Sequence, residues 1–330
     1  MIRCLTLADL IKLYMQGIEE VGWPGAHEYY RKPDRDDRPG RETREALNMR
    51  DALNAIAWAK LGHVDPNEFG PMMLRKCQAA MVEHGLARKT VNARCNRLRR
   101  FFRWAVSYEL VSLDINALEA VPALKKGRTK APESKGIKSV SFDLVKKSLE
   151  VLPWVLKQMV MVHWYTGMRP GELVIMRRCD LRICPDDQEL WEYRPAEFKS
   201  EHHEDFDSII YLGPMAQDIL RDVIHCNATQ LELFAGDDAR DDAFLWRYSN
   251  ATGIKQRVAS YRQAIQKRIA PAGLPRWTPL QIRHAFATRL HREGQLKAAS
   301  EQMNHTDTKT TQIYIDRDRP EARAFMKRSG

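Results

Sequence analysis

The sequence of 330 residues lacks several features that mark particular classes of protein. No apolar run approaches the roughly 20 residues that a membrane-spanning helix needs, so we expect no such helix. The first fifteen residues include Asp9 and Lys12 and show no signal-peptide core or cleavage site, which favours a cytoplasmic location. Internal repeats and low-complexity tracts are also absent, whereas 44% of the residues are hydrophobic, enough for packed cores.

The six cysteines are scattered along the chain and form no C-x-x-C pair. Cys179 and Cys184 loosely resemble half of a metal site, but no matching second half follows them. We therefore expect partly buried, reduced thiols and no bound metal ion.

Positive charge is concentrated in one part of the chain. The net charge is +10, and residues 71–130 hold thirteen Lys or Arg against four Asp or Glu. Apolar residues at helical spacing between Val91 and Ala105 predict a helix whose remaining surface is cationic. Because a surface of one sign repels itself, we expect it to contact a DNA backbone rather than solvent alone. The cations expected to bind DNA are Arg88, Lys89, Arg94, Arg97, Arg99, Arg100 and Arg103.

Pattern and composition divide the chain into two predicted domains. Residues 1–125 are expected to form a helical DNA-binding domain, with helices over 5–18, 44–61 and 72–84. Gly85 is expected to end one helix and Thr90 to cap the next. Residues 126–138 are polar and basic and are interpreted as a linker.

Residues 139–330 are expected to form a second, catalytic domain of mixed structure. Helices are predicted over 142–152, 154–166, 214–224, 257–269 and 280–293. Strands are predicted over 190–198 and 208–212, on either side of a polar turn at 199–207. The predicted fold class is mainly α with a small β-sheet.

Three segments of the second domain place reactive or phosphate-binding residues at predicted helix ends. They are T-G-M-R-P-G-E-L from Thr166, T-P-L-Q-I-R-H-A-F-A-T from Thr278, and N-H-T-D-T-K-T-T-Q-I-Y from Asn304 to Tyr314. Each has an ordinary structural alternative. Arg169 could pair with Glu172 one turn later, Arg283 could be a buried structural arginine, and Tyr314 could be a core residue.

Together, the order and spacing of these segments resemble the tyrosine recombinases, the phage integrases and their relatives. The first segment matches the family's T-G-x-R-x-x-E-L box, the second its H-x-L-R-H box except at one position, and the third its L-G-H…Y box. In the third box His305 lies nine residues before Tyr314. The resemblance covers residues 140–320, and more weakly the basic helical domain. There, Gly85–Asn92 together with Phe101–Ala105 is similar to the family's core-binding domain.

The resemblance implies a site-specific DNA recombinase that cuts and rejoins DNA through a 3′-phosphotyrosyl intermediate on Tyr314. Arg169 and Arg283 would clamp the phosphate, and His305 would bond a nonbridging oxygen. Lys199 would give a proton to the leaving 5′ oxygen. Glu172 and His284 match supporting positions. The family acts on double-stranded DNA, commonly as a homotetramer on two sites, and the resemblance implies no metal ion or other cofactor.

One position departs from the family. Leu280 stands where the family usually has a histidine, three residues before the second arginine. Because leucine can neither accept a proton nor bond a phosphate, cleavage could be slower, or His284 or water could substitute in part. Alternatively, cleavage could be lost and only DNA binding kept.

Other functions remain open at the level of sequence. The chain could be a catalytically impaired DNA-binding regulator, or a topoisomerase-like enzyme that cleaves without recombination. It could also be a helical nucleic-acid-binding protein without an active site. A geometric condition separates the last alternative from the family: Arg169, Arg283, His305 and Tyr314 must converge on one cleft.

Overall fold

The computed structural model describes residues 6–31, 43–134, 136–196, 208–234, 243–304 and 308–315. The chain divides into two compact units, Met1–Lys135 and Gly136–Gly330. The predicted linker, 126–138, includes this division. Within the described residues, no helix is both long enough and apolar enough to cross a membrane.

The first unit is helical. Its helices are α1 (Leu7–Gln16), α2 (Ala26–Tyr29), α3 (Arg44–Trp58), α4 (Pro71–Glu83), α5 (Arg88–Ser107) and α6 (Ile115–Glu119). The core forms where the apolar stripe of α5, including Leu98 and Phe102, packs against the other helices. The predicted cap at Thr90 is wrong, because α5 already begins at Arg88 and Thr90 lies within it.

The second unit combines helices with a small sheet, which confirms the predicted fold class. Its helices are α7 (Phe142–Val151), α8 (Trp154–Thr166), α9 (Pro170–Val174), α10 (Pro214–Phe234), α11 (Ile254–Ile269), α12 (Pro279–Arg292), α13 (Leu296–Gln302) and α14 (Thr308–Gln312). The largest fully buried side chains of its core are Trp246 and Trp277. Helix α8 is apolar around most of its surface, which fits its place in this core.

The sheet has three short antiparallel strands in the order β1-β2-β3. They are β1 (Leu181–Ile183), β2 (Trp191–Tyr193) and β3 (Ile210–Leu212), with Trp191 opposite Leu212. Of the strand predicted over 190–198, the structure forms Trp191–Tyr193, and residues 194–196 have no strand conformation. Residues 197–198 and the polar turn predicted at 199–207 lie outside the described residues. Strand β1 was not predicted, since three residues are too few for an alternating pattern to be recognised.

Candidate active site

The first arginine box follows the end of α8. Gly167 ends this helix with a left-handed φ of +62°, a conformation that favours glycine. A Cβ at this position would overlap the ring of Phe286 on α12. Arg169 is the N-cap of α9, and Pro170 supplies the preset φ of its first turn.

Glu172 fixes the backbone and the side chain of Arg169 together. Its carboxylate accepts hydrogen bonds from the Arg169 backbone N–H (2.6 Å) and from Nη1 (2.8 Å). The Tyr193 hydroxyl on β2 donates to the Glu172 carbonyl at 2.6 Å. The ion pair considered from the sequence therefore forms, and Glu172, 3% exposed, holds the guanidinium in one orientation.

Arg283 lies fully buried in α12 and joins two segments of the site. Its Nη1 donates to the Gly167 carbonyl and its Nη2 to the Met303 carbonyl, both at 2.8 Å. Burial, followed by the charge of Arg169, lowers the pKa of Arg283, whereas Glu172 and a side-chain hydrogen bond with Tyr314 raise it. The buried structural role considered from the sequence is thus present. It also fixes the guanidinium plane beside the tyrosine.

Tyr314 lies two residues beyond the end of α14 and is half-buried. Its backbone N–H donates to the Thr311 carbonyl at 2.9 Å. The Arg283 guanidinium carbon is 5.3 Å from the centre of the Tyr314 ring. The His284 ring centre is 4.7 Å away, at an interplanar angle of 47°. Tyr314 also packs against the apolar cluster of Phe286, Ala287 and Met303, while its hydroxyl forms a side-chain hydrogen bond with Arg283.

Arg169, Arg283 and Tyr314 therefore converge. Arg169 Nη2 reaches the Asn304 carbonyl at 3.4 Å, next to the Met303 carbonyl that Arg283 bonds. The geometric condition set by the sequence is met for these three residues. His305 and Lys199 lie outside the described residues, and their roles stay predictions.

Leu280 occupies the first turn of α12 and is half-buried. It lies three residues before Arg283 and four before His284, so the three positions share one side of the helix. The helix starts normally, with a capping box between Thr278 and Gln281. The missing histidine is therefore a change of side chain in an intact helix, and the imidazole beside Tyr314 belongs to His284.

His163 is a buried residue of the site that sequence reasoning missed. It lies in α8 and its Nε2 donates to the Met168 carbonyl at 2.9 Å, which sets the ring tautomer. Burial lowers the pKa of His163 to about 3, so the ring is neutral. The one available signal was a histidine within the apolar run V-M-V-H-W-Y. Such a histidine marks a buried polar contact without showing what it bonds.

The cationic surface of α5 meets acids from other segments, which the helix sequence could not reveal. Glu45 on α3 accepts hydrogen bonds from Arg97 Nε (3.0 Å) and Nη2 (2.9 Å), and also pairs with Arg100. Although burial opposes it, hydrogen bonds from Arg97, Asn48 and Arg100 lower the pKa of Glu45 to about 2. Arg94 pairs with Asp51 at 3.4 Å. The expectation of a surface without acids is therefore wrong.

The remaining cations of α5 differ in exposure. Lys89 and Arg103 are exposed, and Arg103 pairs with Glu119. Arg88 is half-buried and pairs with Glu133.

Arg99 is inside the fold, 7% exposed. Its Nε donates to the Leu118 carbonyl at 3.1 Å and its Nη2 to the Val121 carbonyl at 2.6 Å. This burial does not favour a phosphate contact, and the assignment of Arg99 as a DNA-binding cation stays a prediction. The apolar spacing of α5 gave no sign that Arg99 is buried. In the fold, its hydrogen bonds hold α6 and the turn that follows.

Comparison with known proteins agrees with the three boxes. The model of the phage integrase family matches residues 141–321, more than half of the chain. The chain belongs to the phage integrase family. The match includes all three boxes and thus confirms the resemblance seen in the sequence.

Individual phage integrase relatives extend the match into the first unit. The tyrosine recombinase XerC of Escherichia coli O157:H7 is 26% identical over 271 residues, covering 76% of this chain and 80% of XerC. The structure of the XerH recombinase bound to palindromic difH substrate, a post-cleavage complex, matches 86% of this chain and 80% of XerH. Its TM-score is 0.63 at 16% identity.

The Tn1549 transposon integrase, in complex with circular intermediate DNA, matches 98% of this chain and 99% of its own. Its TM-score is 0.62 at 15% identity. At these identities the two structures show that the fold is shared.

Proposed function

We propose that this chain is a site-specific recombinase that cuts and rejoins double-stranded DNA through Tyr314. One observation carries the proposal. Arg283 bonds the carbonyl of Gly167 in the first box and the carbonyl of Met303, directly before the third box, and its guanidinium carbon lies 5.3 Å from the centre of the Tyr314 ring. A fixed cation beside a tyrosine is the arrangement that phosphoryl transfer to a phenol needs.

The reaction transfers a phosphoryl group between two oxygens. The Tyr314 oxygen bonds to phosphorus, the bond from phosphorus to the 5′ oxygen breaks, and the leaving oxygen takes a proton. Arg169 and Arg283 stabilise the charge that builds on the nonbridging oxygens. An arginine carries five N–H donors, more than the two carbonyl bonds of Arg283 use. The phosphotyrosyl bond keeps the phosphodiester energy, so the reverse attack rejoins DNA without ATP.

Two further roles come from the resemblance to the family. Lys199, in the segment before β3, would donate the proton to the leaving oxygen. His305, which follows Asn304 in sequence, would bond a nonbridging oxygen. His284 lies close enough to Tyr314 to assist loss of the phenol proton in place of the histidine that Leu280 replaces.

The first unit is proposed to hold the duplex. Lys89, Arg97, Arg100 and Arg103 are exposed or half-buried cations of α5 and suit phosphate contacts. Glu45 holds Arg97 with two bonds and thereby reduces the disorder of this cation before DNA arrives. The XerH structure is a complex with its difH substrate, and we propose DNA as the partner here too.

Recombination joins two duplexes, so we propose a homotetramer assembled on two sites. The lambda integrase structure, which shares this fold with a TM-score of 0.57 at 16% identity, is a dimer bound to a core site and supports assembly on DNA. The expected cytoplasmic location stays a proposal that rests on DNA as the substrate.

Covalent trapping tests the proposal. The full-length protein is incubated with a library of nicked duplexes of random sequence, whose cleavage releases a short oligonucleotide and prevents rejoining. We expect wild type to retain DNA through denaturation, the recovered DNA to share one sequence, and Tyr314→Phe to retain none. Wild type without an adduct would overturn the proposal. Recovered DNA without a shared sequence, with plasmid relaxation but no recombination, would point to topoisomerase-like cleavage instead.

A further inference from the structure

Helix α13 ends in a residue of left-handed conformation beside the two arginines of the clamp. Asn304, two residues beyond the last helical residue, has a φ of +51°, and its N–H donates to the Glu301 carbonyl at 2.9 Å. Helices often end in this way, usually with glycine, and asparagine tolerates the conformation better than most other residues. The carbonyls at the end of a helix lack intrahelical donors and carry a partial negative charge, so they favour cations.

Two consecutive carbonyls of this ending bind the two arginines. Arg283 Nη2 donates to the Met303 carbonyl at 2.8 Å, and Arg169 Nη2 donates to the Asn304 carbonyl at 3.4 Å. The peptide unit between adjacent carbonyls is rigid, so their separation depends on the φ and ψ of the second residue. The distance between the two guanidinium groups therefore depends on the backbone conformation of Asn304.

The arginines need such a contact because they repel each other. The charge of Arg169 lowers the pKa of Arg283, which shows that the two cations lie close together. Glu172 bonds the backbone N–H and Nη1 of Arg169, and the Gly167 carbonyl accepts from Nη1 of Arg283. Each of these contacts reaches one arginine, whereas the Met303–Asn304 turn bonds both.

Side chains at the ends of the turn fix it within the second unit. Gln302 Nε2 donates to the Tyr211 carbonyl at 2.8 Å and to the Thr166 carbonyl at 3.2 Å. Asn304 Nδ2 donates to Ser208 Oγ at 2.9 Å. These bonds connect the turn to β3, to the residue that ends α8 and to the segment before β3. The turn is thus held by contacts that do not involve the arginines.

We propose that the Met303–Asn304 turn sets the spacing of the arginine clamp and that Asn304 is a positioning residue for it. The left-handed backbone of Asn304 directs its carbonyl to Arg169, while the preceding carbonyl bonds Arg283. Both guanidinium groups are then held at a spacing that suits the nonbridging oxygens of one phosphate. The backbone conformation carries this role. This inference rests on the proposed recombinase function.

The test compares a substitution that keeps the backbone conformation with one that opposes it. Glycine accepts the positive φ and removes only the bond to Ser208, whereas valine, branched at Cβ, is disfavoured there. We expect Asn304→Gly to cleave within about 3-fold of wild type and Asn304→Val about 10- to 100-fold more slowly, because a displacement of about 1 Å costs on the order of 10²-fold. Asn304→Ala, with less strain, replaces the valine variant if that variant does not fold.

The measurement is single-turnover cleavage by saturating full-length protein on nicked duplexes that carry the sequence recovered by covalent trapping. Cleavage of these duplexes is irreversible, so product accumulates even when the rate is low. Glu109→Val is the matched control, because exposed Glu109 in the first unit also has a left-handed φ, +53°. We expect it to lose stability in urea as Asn304→Val does and to cleave at the wild-type rate.

A second background separates positioning of the clamp from general damage to the second unit. Arg169→Lys keeps the charge but loses the planar fork of the guanidinium. In this background we expect Asn304→Val to slow cleavage by less than about 3-fold, because the contact that it disturbs is already lost. Damage to the fold, or to a neighbour in sequence such as His305, would slow both backgrounds by the same factor, because independent effects multiply.

Equal slowing in both backgrounds, or cleavage by Asn304→Val at the wild-type rate, overturns the positioning role alone. Slowing of Asn304→Gly to the rate of Asn304→Val also overturns it, because the side-chain bond to Ser208 would then matter rather than the backbone. A wild type that forms no adduct overturns the proposed function and this inference with it.

Discussion

The Gly167 carbonyl accepts a 2.8 Å hydrogen bond from Arg283, and the Gly167 backbone packs against the helix that carries this arginine. A Cβ at Gly167 would overlap Phe286, one turn further along α12. The turn before Arg169 and the helix of Arg283 therefore approach so closely that glycine alone fits. This close approach sets the distance between the two arginines of the clamp.

Gly167→Ala is expected to damage both stability and cleavage. The positive φ costs an alanine about 1–2 kcal/mol, and the overlap with Phe286 adds about 1–3 kcal/mol of strain. Gly294→Ala is the matched control, because Gly294 has a φ of +75° with no atom within 4 Å of its added Cβ. Urea denaturation should show a loss in Gly167→Ala that exceeds the loss in Gly294→Ala. Equal losses would contradict the close approach.

Leu280→His should raise the rate of cleavage. The histidine would lie on the side of α12 that carries Arg283 and His284, and a general base contributes roughly 10²–10⁴-fold. We expect a gain of about 10-fold or more in single-turnover cleavage at pH 7.5. This is less than a general base usually contributes, because the surrounding residues are not optimised to orient the new histidine. Leu280→Gln, which is polar but not basic, should give no gain. Equal rates for the histidine and glutamine variants would show that the missing base does not limit this enzyme.

His163 should make stability depend on pH. Its pKa is lowered by burial to about 3 in the fold, against about 6.5 in an unfolded chain. The unfolded chain therefore takes up a proton that the fold excludes. The stabilisation is present above about pH 6.5 and is lost as pH falls toward 3, at about 1.4 kcal/mol per pH unit. His163→Gln keeps an N–H donor for the Met168 carbonyl without titrating.

The measurement compares urea denaturation of wild type and His163→Gln between pH 7 and pH 4.5. Carboxylates titrate equally in both proteins, so the difference in slope reports His163. Wild type should lose more free energy of unfolding than the variant over this interval. Parallel curves would mean that His163 takes up a proton in the fold.

Exposed and buried cations of α5 should differ in their effects on DNA affinity and on stability. Lys89→Ala and Arg103→Ala should each reduce the slope of log affinity for DNA against log salt by about 0.9 per phosphate contact. Arg99→Met should leave the slope unchanged and lower the free energy of unfolding by about 1–3 kcal/mol, because two buried carbonyls lose their donor. Fluorescence anisotropy over a salt series measures the slopes. A reduced slope in a folded Arg99→Met would restore Arg99 as a phosphate contact.

Much of the site could be predicted from the sequence because its boxes are local. Helices α8 and α12 follow from apolar periodicity, and the order and spacing of the boxes around Arg169, Arg283 and Tyr314 indicated the family. The sequence also predicted that these three residues converge on one cleft together with His305. The described residues show the contacts among Arg169, Arg283 and Tyr314.

What could not be predicted depends on contacts between distant residues. Glu45 is 52 residues from Arg97, and Gln302 is 91 residues from Tyr211, so neither pattern nor composition relates them. For the same reason Arg99 looked like a surface cation. Its carbonyl partners lie on the next helix and beyond, at Leu118 and Val121.

The central claim is that Tyr314 forms the covalent bond to DNA. Mass spectrometry of the trapped complex, digested with trypsin and nuclease, tests it most directly. The sequence places Tyr314 alone among tyrosines in the tryptic peptide 310–317. We predict that this peptide carries a nucleotide phosphate in wild type and that Tyr314→Phe forms no adduct. A nucleotide attached to any other residue, or an adduct that persists in Tyr314→Phe, would contradict the account.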